Sequence, residues 1–206
     1  DTRAFLLQTS ILDRLTGSLC DAVRSGSART PSTAGGGAVR FGFAETQSSF
    51  HGTAVAERTD SHDKLVALAA ANLFTIPLDD ERRWYRYHRL CSDLLRRRLR
   101  QTQPEWMPAL HLRASEWYEQ RGYDDEAIEH ALRGGYFARA ADLVEVHLGA
   151  NYERVDQSTL RHWLAHMPGA FVSTRPHLCL LEAWSLFTGG QLDAAEQSLC
   201  AAEKAL

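Results

Sequence analysis

Histidine, cysteine and carboxylate side chains are the first places where this sequence could carry chemistry. His88 and Cys91 are one helical turn apart in the stretch WYRYHRLCSDLLRRRL, residues 84–99, a spacing that could begin a metal site. The segment HWLAH places His162 and His166 on one helix face, as in zinc peptidases, but lacks the glutamate that those enzymes need between them. Nothing adjacent supplies further ligands to either pair, so we expect no metal site.

Catalysis by other routes has no local support in the sequence. There is no Ser-His-Asp or Cys-His grouping, and no G-x-x-x-x-G-K-[ST] loop that could cradle the phosphates of ATP. The acidic run Asp79, Asp80 and Glu81 is typical of a turn that keeps a hairpin soluble. We therefore expect this chain not to be an enzyme, with a site between two domains as a distant alternative.

Composition narrows the class of protein further. The 206 residues are 44% hydrophobic with a net charge of -3, whereas a dedicated nucleic-acid binder usually has a strong basic excess. No apolar run approaches the length that spans a bilayer, and the N-terminus has no signal-peptide layout. The four cysteines are widely spaced in helical patterns, which favours small core residues in a reducing cytoplasm: Cys20, Cys91, Cys179 and Cys200. Because residue 1 is Asp and an apolar pattern starts at once, we expect a piece of a longer cytoplasmic protein.

The order of predicted helices and strands over residues 1–103 is typical of a winged-helix domain. Residues 4–23 predict two short helices joined at Thr16-Gly17, with Ser18 as the cap of the second. Residues 25–62 are rich in Gly, Ser and Thr and contain no Leu or Ile, which predicts a flexible insertion. A helix from His62 to Asn72, a β-hairpin made by LFTIPL and WYRYH around DDERR, and a helix from His88 to Gln101 follow.

The two later helices of this domain differ in what they offer a partner. The segment KLVALAAANLF, at the position where a winged helix reads DNA, has a single Lys, so we expect this domain to pack against protein. In the helix from His88, one apolar face is predicted to be buried: Leu90, Cys91, Leu94, Leu95 and Leu99. The arginines 96 to 98 and Arg100 are interpreted as a solvated face.

Residues 104–206 are predicted to form helical repeats. WYEQRGYDDEA begins at Trp117 and WSLFTGGQLDA at Trp184, an offset of 67 residues and about twice the tetratricopeptide period of 34, and GYFARAA repeats the Gly-to-Ala spacing. We expect helix breaks at Gly122, Gly134-Gly135, Gly149, Pro168-Gly169 and Gly189-Gly190. Trp117, Trp163 and Trp184 lie on apolar stripes and are predicted to be core residues. The expected fold is mainly α: a winged-helix domain with a small β-hairpin, then a tetratricopeptide-like solenoid.

These patterns resemble the large ATP-dependent regulators of the LuxR superfamily, the MalT-like group of STAND ATPases. Four stretches carry the resemblance, in the same order and over most of the chain outside residues 25–62: FLLQTSILDRLTGSLCDAV, ANLFTIPLDDERRWYRYHRLCSDLLRRRL, RASEWYEQRGYDDEAIEHAL and RPHLCLLEAWSLFTGGQLDAAE. In that family a nucleotide-binding domain precedes the winged helix, and sensor repeats and a DNA-binding helix-turn-helix follow it. The resemblance implies a central fragment, with ATP or ADP bound upstream and DNA bound only through a C-terminal domain outside this chain. The segment 25–62 departs from the family, which has a short turn there.

The resemblance also implies a role for His88. In related STAND proteins a histidine at the junction of strand and helix, in a Met-His-Asp-like tripeptide, contacts the β-phosphate of ADP. The matching tripeptide is Tyr87-His88-Arg89. An imidazole N–H at a helix N-terminus suits a diphosphate, because the helix dipole also favours an anion there. The alternative is a histidine at a domain edge that hydrogen-bonds to the backbone.

We therefore expect a regulatory, signal-sensing fragment whose winged helix latches an upstream nucleotide-binding domain. Its repeats would bind a small-molecule inducer or an inhibitory protein, and release of the latch would permit self-assembly of the full-length protein. No membrane partner is expected. The main alternative is a stand-alone helical-repeat scaffold for protein interaction. A similar segment also occurs in some large regulatory kinases, so the output domain stays open.

Overall fold

The computed structural model describes residues 1–25, 60–151 and 156–205, with the side chains of residues 149–151 left aside. The described part is mainly α, as predicted, with one antiparallel hairpin. Its helices are α1 (Thr2–Thr9), α2 (Gly17–Arg24), α3 (Asp60–Ala70), α4 (Arg89–Thr102), α5 (Trp106–Glu119), α6 (Asp124–Arg133), α7 (Phe137–Asn151), α8 (Gln157–Ala165), α9 (Gly169–Val172), α10 (Pro176–Thr188) and α11 (Leu192–Ala205). Its strands are β1 (Thr75–Pro77) and β2 (Tyr85–Tyr87). Most of the insertion predicted at 25–62 lies outside the described residues, and its last residues belong to α3, which begins at Asp60.

The winged-helix part, α1 to α4 with the hairpin, is held together by a β-contact distant in sequence. The strands pair with Thr75 opposite Tyr87 and Pro77 opposite Tyr85. Leu15, in the loop between α1 and α2, forms an antiparallel bridge with Tyr85, whose N–H···O=C bonds are 2.9 and 2.8 Å long. The loop therefore adds a third extended segment to the hairpin, so that the first two helices and the wing form one unit.

Side-chain caps define the loop and the hairpin turn. Thr16, and not Ser18 as predicted, caps α2, because α2 begins at Gly17 and the Thr16 hydroxyl accepts the Leu19 N–H at 3.2 Å. In the hairpin turn, Asp79 Oδ1 accepts the N–H groups of Arg83 and Trp84, each at 2.9 Å. This bonding agrees with the prediction that the acidic run serves the turn.

Helix α4 buries a narrower face than the sequence predicted. Leu99 is fully buried and Leu95 packs against the core, but Leu90 is 75% and Leu94 67% exposed. The apolar sector of this helix is wide, and α4 turns only one edge of it to α1. Arg96 lies on the inward edge and bonds to the loop before α2, so the prediction of a solvated side chain at Arg96 is wrong.

The helical array, α5 to α11, contains three turns with the same geometry. Gly122, Gly135 and Gly190 each have φ between 72° and 76°, a conformation that glycine adopts at low cost. At each turn the residue after the glycine donates its N–H to the carbonyl five residues back, and the next helix starts two residues after the glycine. A buried alanine follows each glycine by five residues: Ala127, Ala140 and Ala195. The predicted Gly-to-Ala spacing is therefore a repeated structural turn.

Two predicted helix breaks are placed differently. Helix α7 continues through Gly149 to Asn151, and Gly169 starts the short helix α9 instead of ending a helix. Helix α6 is shared by the first two turns, which join α5 to α6 and α6 to α7, so the hairpins overlap there. The array is thus a run of packed helices whose three equivalent turns connect five of them.

The structure shifts the sequence repeat by one residue. The left-handed glycine of the last turn is Gly190, whereas Gly189 has φ -82°, so the equivalent of Gly122 lies 68 residues on and not 67. In this register Trp117 corresponds to buried Ser185, and Trp184 corresponds to exposed Glu116. Trp117 and Trp163 are buried as predicted, but Trp184 is 45% exposed and its assignment to the core is wrong.

Candidate functional site

His88 caps the N-terminus of α4 through its backbone. Its N–H donates to the carbonyl of Phe74 at 2.6 Å, and its carbonyl accepts the N–H groups of Cys91 and Ser92 at 2.9 and 3.0 Å. The imidazole makes no capping bond, and the residue is exposed. The backbone is therefore fixed while the side chain stays available to a partner at a helix N-terminus.

Exposed apolar side chains occur in both segments that meet at the His88 backbone, the residues before β1 and the first turns of α4. Phe74, bonded to the His88 backbone, has φ +55° and a side chain that is 60% exposed; such a backbone conformation is uncommon for an aromatic residue. Leu73 precedes it and is also half exposed. Leu90 and Leu94 extend the surface along α4. These four side chains with His88 are called the His88 face below, and exposed large apolar side chains in such number are typical of a docking site.

The neighbouring helix α3 presents a surface unlike that of a DNA reader. Its exposed positions include Asp63, Ala67 and Ala70. Its one lysine, Lys64, forms an ion pair with Asp60 on the preceding turn. A helix that reads the major groove needs donors directed at the base edges. The exposed surface of α3 is acidic or small, which agrees with docking on protein.

An aromatic cluster joins the winged-helix part to the array. Trp84, at the start of β2, packs edge-on against Trp117 of α5 and Tyr123 of the first turn, with ring centroids 6.5 and 6.1 Å apart. Trp117 and Tyr123 are parallel, and the Arg121 guanidinium lies 4.0 Å from the Trp117 ring centroid. The wing is therefore packed directly on the first helical hairpin.

A charged cluster lies beside this joint. Asp13 accepts hydrogen bonds from Arg96 of α4 at 2.6 Å and from Arg133 of α6 at 3.1 Å. Arg96 also donates to the carbonyls of Ser10 and Leu12. Burial alone would raise the pKa of the Asp13 carboxyl, but the hydrogen bonds and charges of the two arginines outweigh it and lower that pKa. The loop before α2 thus links the wing, α4 and the array.

Two buried histidines face each other between α5 and α6, the first helical hairpin of the array. The Nδ1 atoms of His111 on α5 and His130 on α6 are 2.9 Å apart, and His130 stacks on Tyr118. Loss of hydration lowers the pKa of His111 to about 4, assisted by the positive charges of Arg133 and Arg96. Loss of hydration, together with His111 and Arg133, lowers the pKa of His130 to about 3. Both rings are therefore neutral at pH 7, and the Nδ1–H of one ring donates a hydrogen bond to the Nδ1 atom of the other.

The sequence-based metal candidates remain isolated pairs. His162 and His166 approach to 4.2 Å between ring centroids, but His162 bonds to Glu129 at 3.0 Å. Across residues 1–25, 60–151 and 156–205 no group of three His, Cys, Asp or Glu side chains is placed to hold a metal ion. Among the cysteines, Cys20 and Cys179 are buried as predicted, whereas Cys200 is exposed, since α11 turns that side to solvent.

Most residues at the contact between the winged-helix part and the array, and the histidine pair next to it, were not predicted from the sequence. Asp13, His111 and His130 were not selected, and Trp84 and Tyr123 appeared only inside longer motifs. Their partners lie far along the chain, 120 residues away for Asp13 and Arg133, so no local spacing marks them. The available signal was a pair of histidines on the inward faces of two adjacent amphipathic helices.

Taken together, the hairpin, the three helices before it and the one after it define a winged-helix domain, and the helices that follow form an array continuous with it. Residues 50–107 match the family model of the MalT winged helix domain. This part of the chain is therefore a winged helix domain of the MalT type. Helices α1 and α2 lie outside the matched range, although they share its core. In the described part, none of the helices is both long and apolar enough to cross a membrane.

The relatives are much longer proteins of two kinds. The serine/threonine-protein kinase PknK of Mycobacterium tuberculosis (strain CDC 1551 / Oshkosh) is 35% identical over 133 residues, which are 65% of this chain and 12% of that protein. The HTH-type transcriptional regulator MalT of Klebsiella pneumoniae subsp. pneumoniae is 28% identical over 141 residues, 68% of this chain and 16% of that protein. MalT of Yersinia enterocolitica is 30% identical over 125 residues, 61% of this chain and 14% of that protein. The chain thus spans less than a fifth of the curated relatives it matches.

Proposed function

We propose that this chain is the signal-transmitting segment of a larger MalT-like regulator. Its winged helix docks through the His88 face on a nucleotide-binding domain of the same protein, and His88 contacts the β-phosphate of ADP there. Its helices act as tetratricopeptide-like sensor repeats that bind an inducer or an inhibitory protein. DNA is bound only by a C-terminal helix-turn-helix of the full-length protein, which assembles when the latch opens.

The observation that carries the proposal is the composition of the His88 face. Leu90 and Leu94 point out of the domain at the start of a helix whose buried edge is already satisfied by Leu95 and Leu99. Exposing several large apolar side chains beside a histidine is unfavourable in water unless another surface covers them. A histidine at the helix N-terminus, whose imidazole makes no capping bond, adds a group that suits a phosphate.

The contacts between the winged-helix part and the array support a route by which a signal would pass from the array to the winged helix. The Trp84 cluster, the Asp13 cluster and the bond from Arg113 of α5 to the carbonyl of Val23 at 2.9 Å all connect the winged-helix part with the first hairpin. These contacts favour movement of the two parts as one body. A force applied by a ligand on the array would therefore reach the His88 face, where the attachment to the nucleotide-binding domain is the weaker contact.

The alternative function, a stand-alone interaction scaffold, is favoured by one surface on the array. A groove of about 570 Å³ between α7 and α10 is lined mainly by apolar side chains, including Val146, Leu180 and Leu181. Trp184 and Phe187 continue the exposed stripe along α10 at helical spacing. A partner's amphipathic helix would suit this groove whether or not the His88 face acts as a latch.

The deciding experiment uses full-length protein with His88→Ala. The latch predicts faster ADP release and assembly without inducer, because a contact with the diphosphate is lost while the helix cap, made by the backbone, remains. The matched control is His166→Ala, which removes another exposed imidazole, one on α8's C-terminal side. Measurements of labelled-ADP release and of particle size by light scattering would report both effects.

A second variant separates the apolar surface from the phosphate contact. Leu90→Ser with Leu94→Ser would leave His88 in place but reduce the docking surface, and we expect assembly without inducer here as well. If ADP release and assembly are unchanged in both variants, the latch is refuted and the scaffold becomes the better account. Because the relatives include the kinase PknK as well as MalT, a separate assay would determine whether the full-length protein acts through kinase activity or through DNA binding.

A further inference from the structure

A polar cleft follows the seam between the wing and the array. It has a volume of about 550 Å³, and side chains of both parts line it: Asp13, Arg14, Leu78, Asp79, Trp84, Arg86 and Tyr123. Beyond Arg86 lies a smaller hollow of about 340 Å³, whose lining includes Arg89 and Ser92 and again Asp13. Since Asp13 and Arg86 line both, the two spaces adjoin and form one site, which we call the seam cleft.

Two arginines flank the contact between the loop and β2 in the seam cleft. Arg14 precedes Leu15 and Arg86 follows Tyr85, the two residues of the antiparallel bridge, and both line the cleft. Like charges that line one cleft repel each other. Within the described residues neither guanidinium has a carboxylate at ion-pair distance, and Arg89 has none either. An anion placed between them would relieve the repulsion.

Three carboxylates line the seam cleft, Asp13, Asp79 and Asp93, and two of them have partners in the protein. Asp13 holds Arg96 and Arg133, and Asp79 accepts two backbone N–H groups of the hairpin turn. Four arginines line the same two spaces, Arg14, Arg86, Arg89 and Arg96, so the lining carries one more positive than negative charge. The positive charge of the cleft is therefore directed at whatever enters it.

The lining of the cleft also contains two aromatic side chains. Trp84 and Tyr123 line the cleft, and their rings meet edge to face at 6.1 Å, so that a flat ring can pack against them. Paired guanidiniums bind a phosphate through parallel N–H···O bonds. We propose that the seam cleft binds a small phosphorylated ligand with a planar ring, with its phosphate between Arg14 and Arg86 and its ring on Trp84 and Tyr123.

Such a ligand would act on the joint. The arginines and Trp84 belong to the winged-helix part, whereas Tyr123 belongs to the first turn of the array. A molecule that contacts both would stiffen the seam in the arrangement described. This site does not depend on the proposed latch, because His88 does not line the cleft.

The test is calorimetric titration of the 206-residue chain, which has no phosphate loop of its own, with four probes. The probes are AMP, phosphotyrosine, adenosine and inorganic phosphate. We expect AMP or phosphotyrosine to bind about tenfold more tightly than adenosine or phosphate alone, since only they offer both groups. The tighter-binding probe of the two shows whether the cleft prefers a purine or a phenol ring. Failure of both to exceed inorganic phosphate would overturn the proposal.

Variants locate the binding. Arg14→Gln and Arg86→Gln should each weaken the better probe about tenfold, because one charge-assisted contact is lost. Arg82→Gln, in the same hairpin turn but outside the cleft lining, is the matched control and should leave binding unchanged. His88→Ala should also leave it unchanged, so that failure of this site and failure of the latch are distinguishable. Equal weakening by Arg82→Gln would reduce the effect to general charge and contradict the site.

The ligand-free chain provides an independent check. At low salt, Arg14→Gln should raise the melting temperature or leave it unchanged, because it removes a like-charge contact. It should also abolish the increase in melting temperature that the better probe produces in the unaltered chain. A marked decrease in melting temperature without ligand would show that Arg14 has a structural role and would contradict the argument from repulsion.

Discussion

The helical hairpins at the two ends of the array have the same turn but different surroundings. Gly122 between α5 and α6, and Gly190 between α10 and α11, have nearly equal φ values and the same pattern of capping bonds. Around the first turn the wing supplies Trp84 as a neighbour. Around the last turn, the exposed side chains include Trp184 and Phe187.

The second helices of the two hairpins differ in the same way. In α6, Ile128, Ala131 and Leu132 are buried by α5, α7 and α8. Their equivalents in α11, 68 residues on, are exposed: Glu196, Leu199 and Cys200. The local turn is thus encoded by a few residues, whereas burial is decided by neighbouring helices that the local sequence does not describe.

Among single substitutions, the largest expected contrast is between the two tryptophans. Trp117→Ala should lower the free energy of unfolding by about 3–5 kcal/mol, because a buried aromatic side chain and its packing with Trp84 are lost. Trp184→Ala should cost less than about 1 kcal/mol, since the side chain is 45% exposed. Denaturant titration of both variants followed by circular dichroism gives the comparison. Similar losses for the two would show that the ends of the array are equally packed.

Acid should affect the first hairpin more than the last. Because burial lowers the pKa of His111 to about 4 and of His130 to about 3, the folded chain binds fewer protons than the unfolded chain below pH 6.5. The free energy of unfolding should therefore be greatest above pH 6.5 and decrease by about 5 kcal/mol as the pH falls from 6.5 to 4. The equivalent residues in the last hairpin, Cys179 and Ser198, do not gain a charge in that range.

Paired variants isolate this effect. Replacing both His111 and His130 with Leu should flatten the pH profile of unfolding between pH 6.5 and 4, whereas His166→Ala should not change it. Unfolding followed at several pH values in urea would measure the slope. An unchanged slope in the double variant would assign the acid sensitivity to other groups.

A smaller contrast is expected between two arginines of similar exposure. Arg96→Ala should cost about 2 kcal/mol, because it leaves the carbonyls of Ser10 and Leu12 without this donor and leaves the Asp13 carboxylate with Arg133 alone. Arg175 forms ion pairs with Asp142 and Glu145 in the array, and Arg175→Ala should cost about 0.5 kcal/mol. Thermal unfolding at matched salt would compare them. If Arg175→Ala lowered the free energy of unfolding more than Arg96→Ala does, this would contradict the linking role of the loop before α2.

The smallest effects test the one-residue shift in the repeat. Gly122→Ala and Gly190→Ala should each cost about 1 kcal/mol, because alanine is strained at positive φ. Gly189→Ala should be neutral or slightly stabilising, since Gly189 has helical φ and alanine restricts the unfolded chain. Melting temperatures of the three variants would decide. A greater loss at Gly189 would restore the offset of 67 residues.

Local signals predicted a large part of this fold. The hairpin, the helices around it and the left-handed glycine turns follow from short patterns whose partners are adjacent in sequence. The error at Trp184 arose because an apolar stripe does not show which of its residues a neighbouring helix covers. The shift in the repeat arose because two adjacent glycines, Gly189 and Gly190, allowed two alignments, and only the backbone shows which one turns. The error at Leu90 and Leu94 arose because a wide apolar sector does not show which edge is covered.

The candidate sites could be predicted from the sequence less completely than the fold. The contact of His88 with ADP stays a prediction, although the structure gives the geometry of the residue. The seam cleft depends on Arg14 and Arg86, which become neighbours only through the bridge between Leu15 and Tyr85. A bridge between segments so far apart leaves no spacing in the sequence that could be counted.

That bridge also determines the order in which the chain can mature on the ribosome. Helices α1 and α2 are synthesised first, but their β partner Tyr85 and the donor Arg96, which bonds to Ser10 86 residues away, emerge much later. Early in translation the apolar faces of both helices would be exposed, a state that favours aggregation. Nascent chains stopped before β2 should therefore need chaperone protection that longer chains do not.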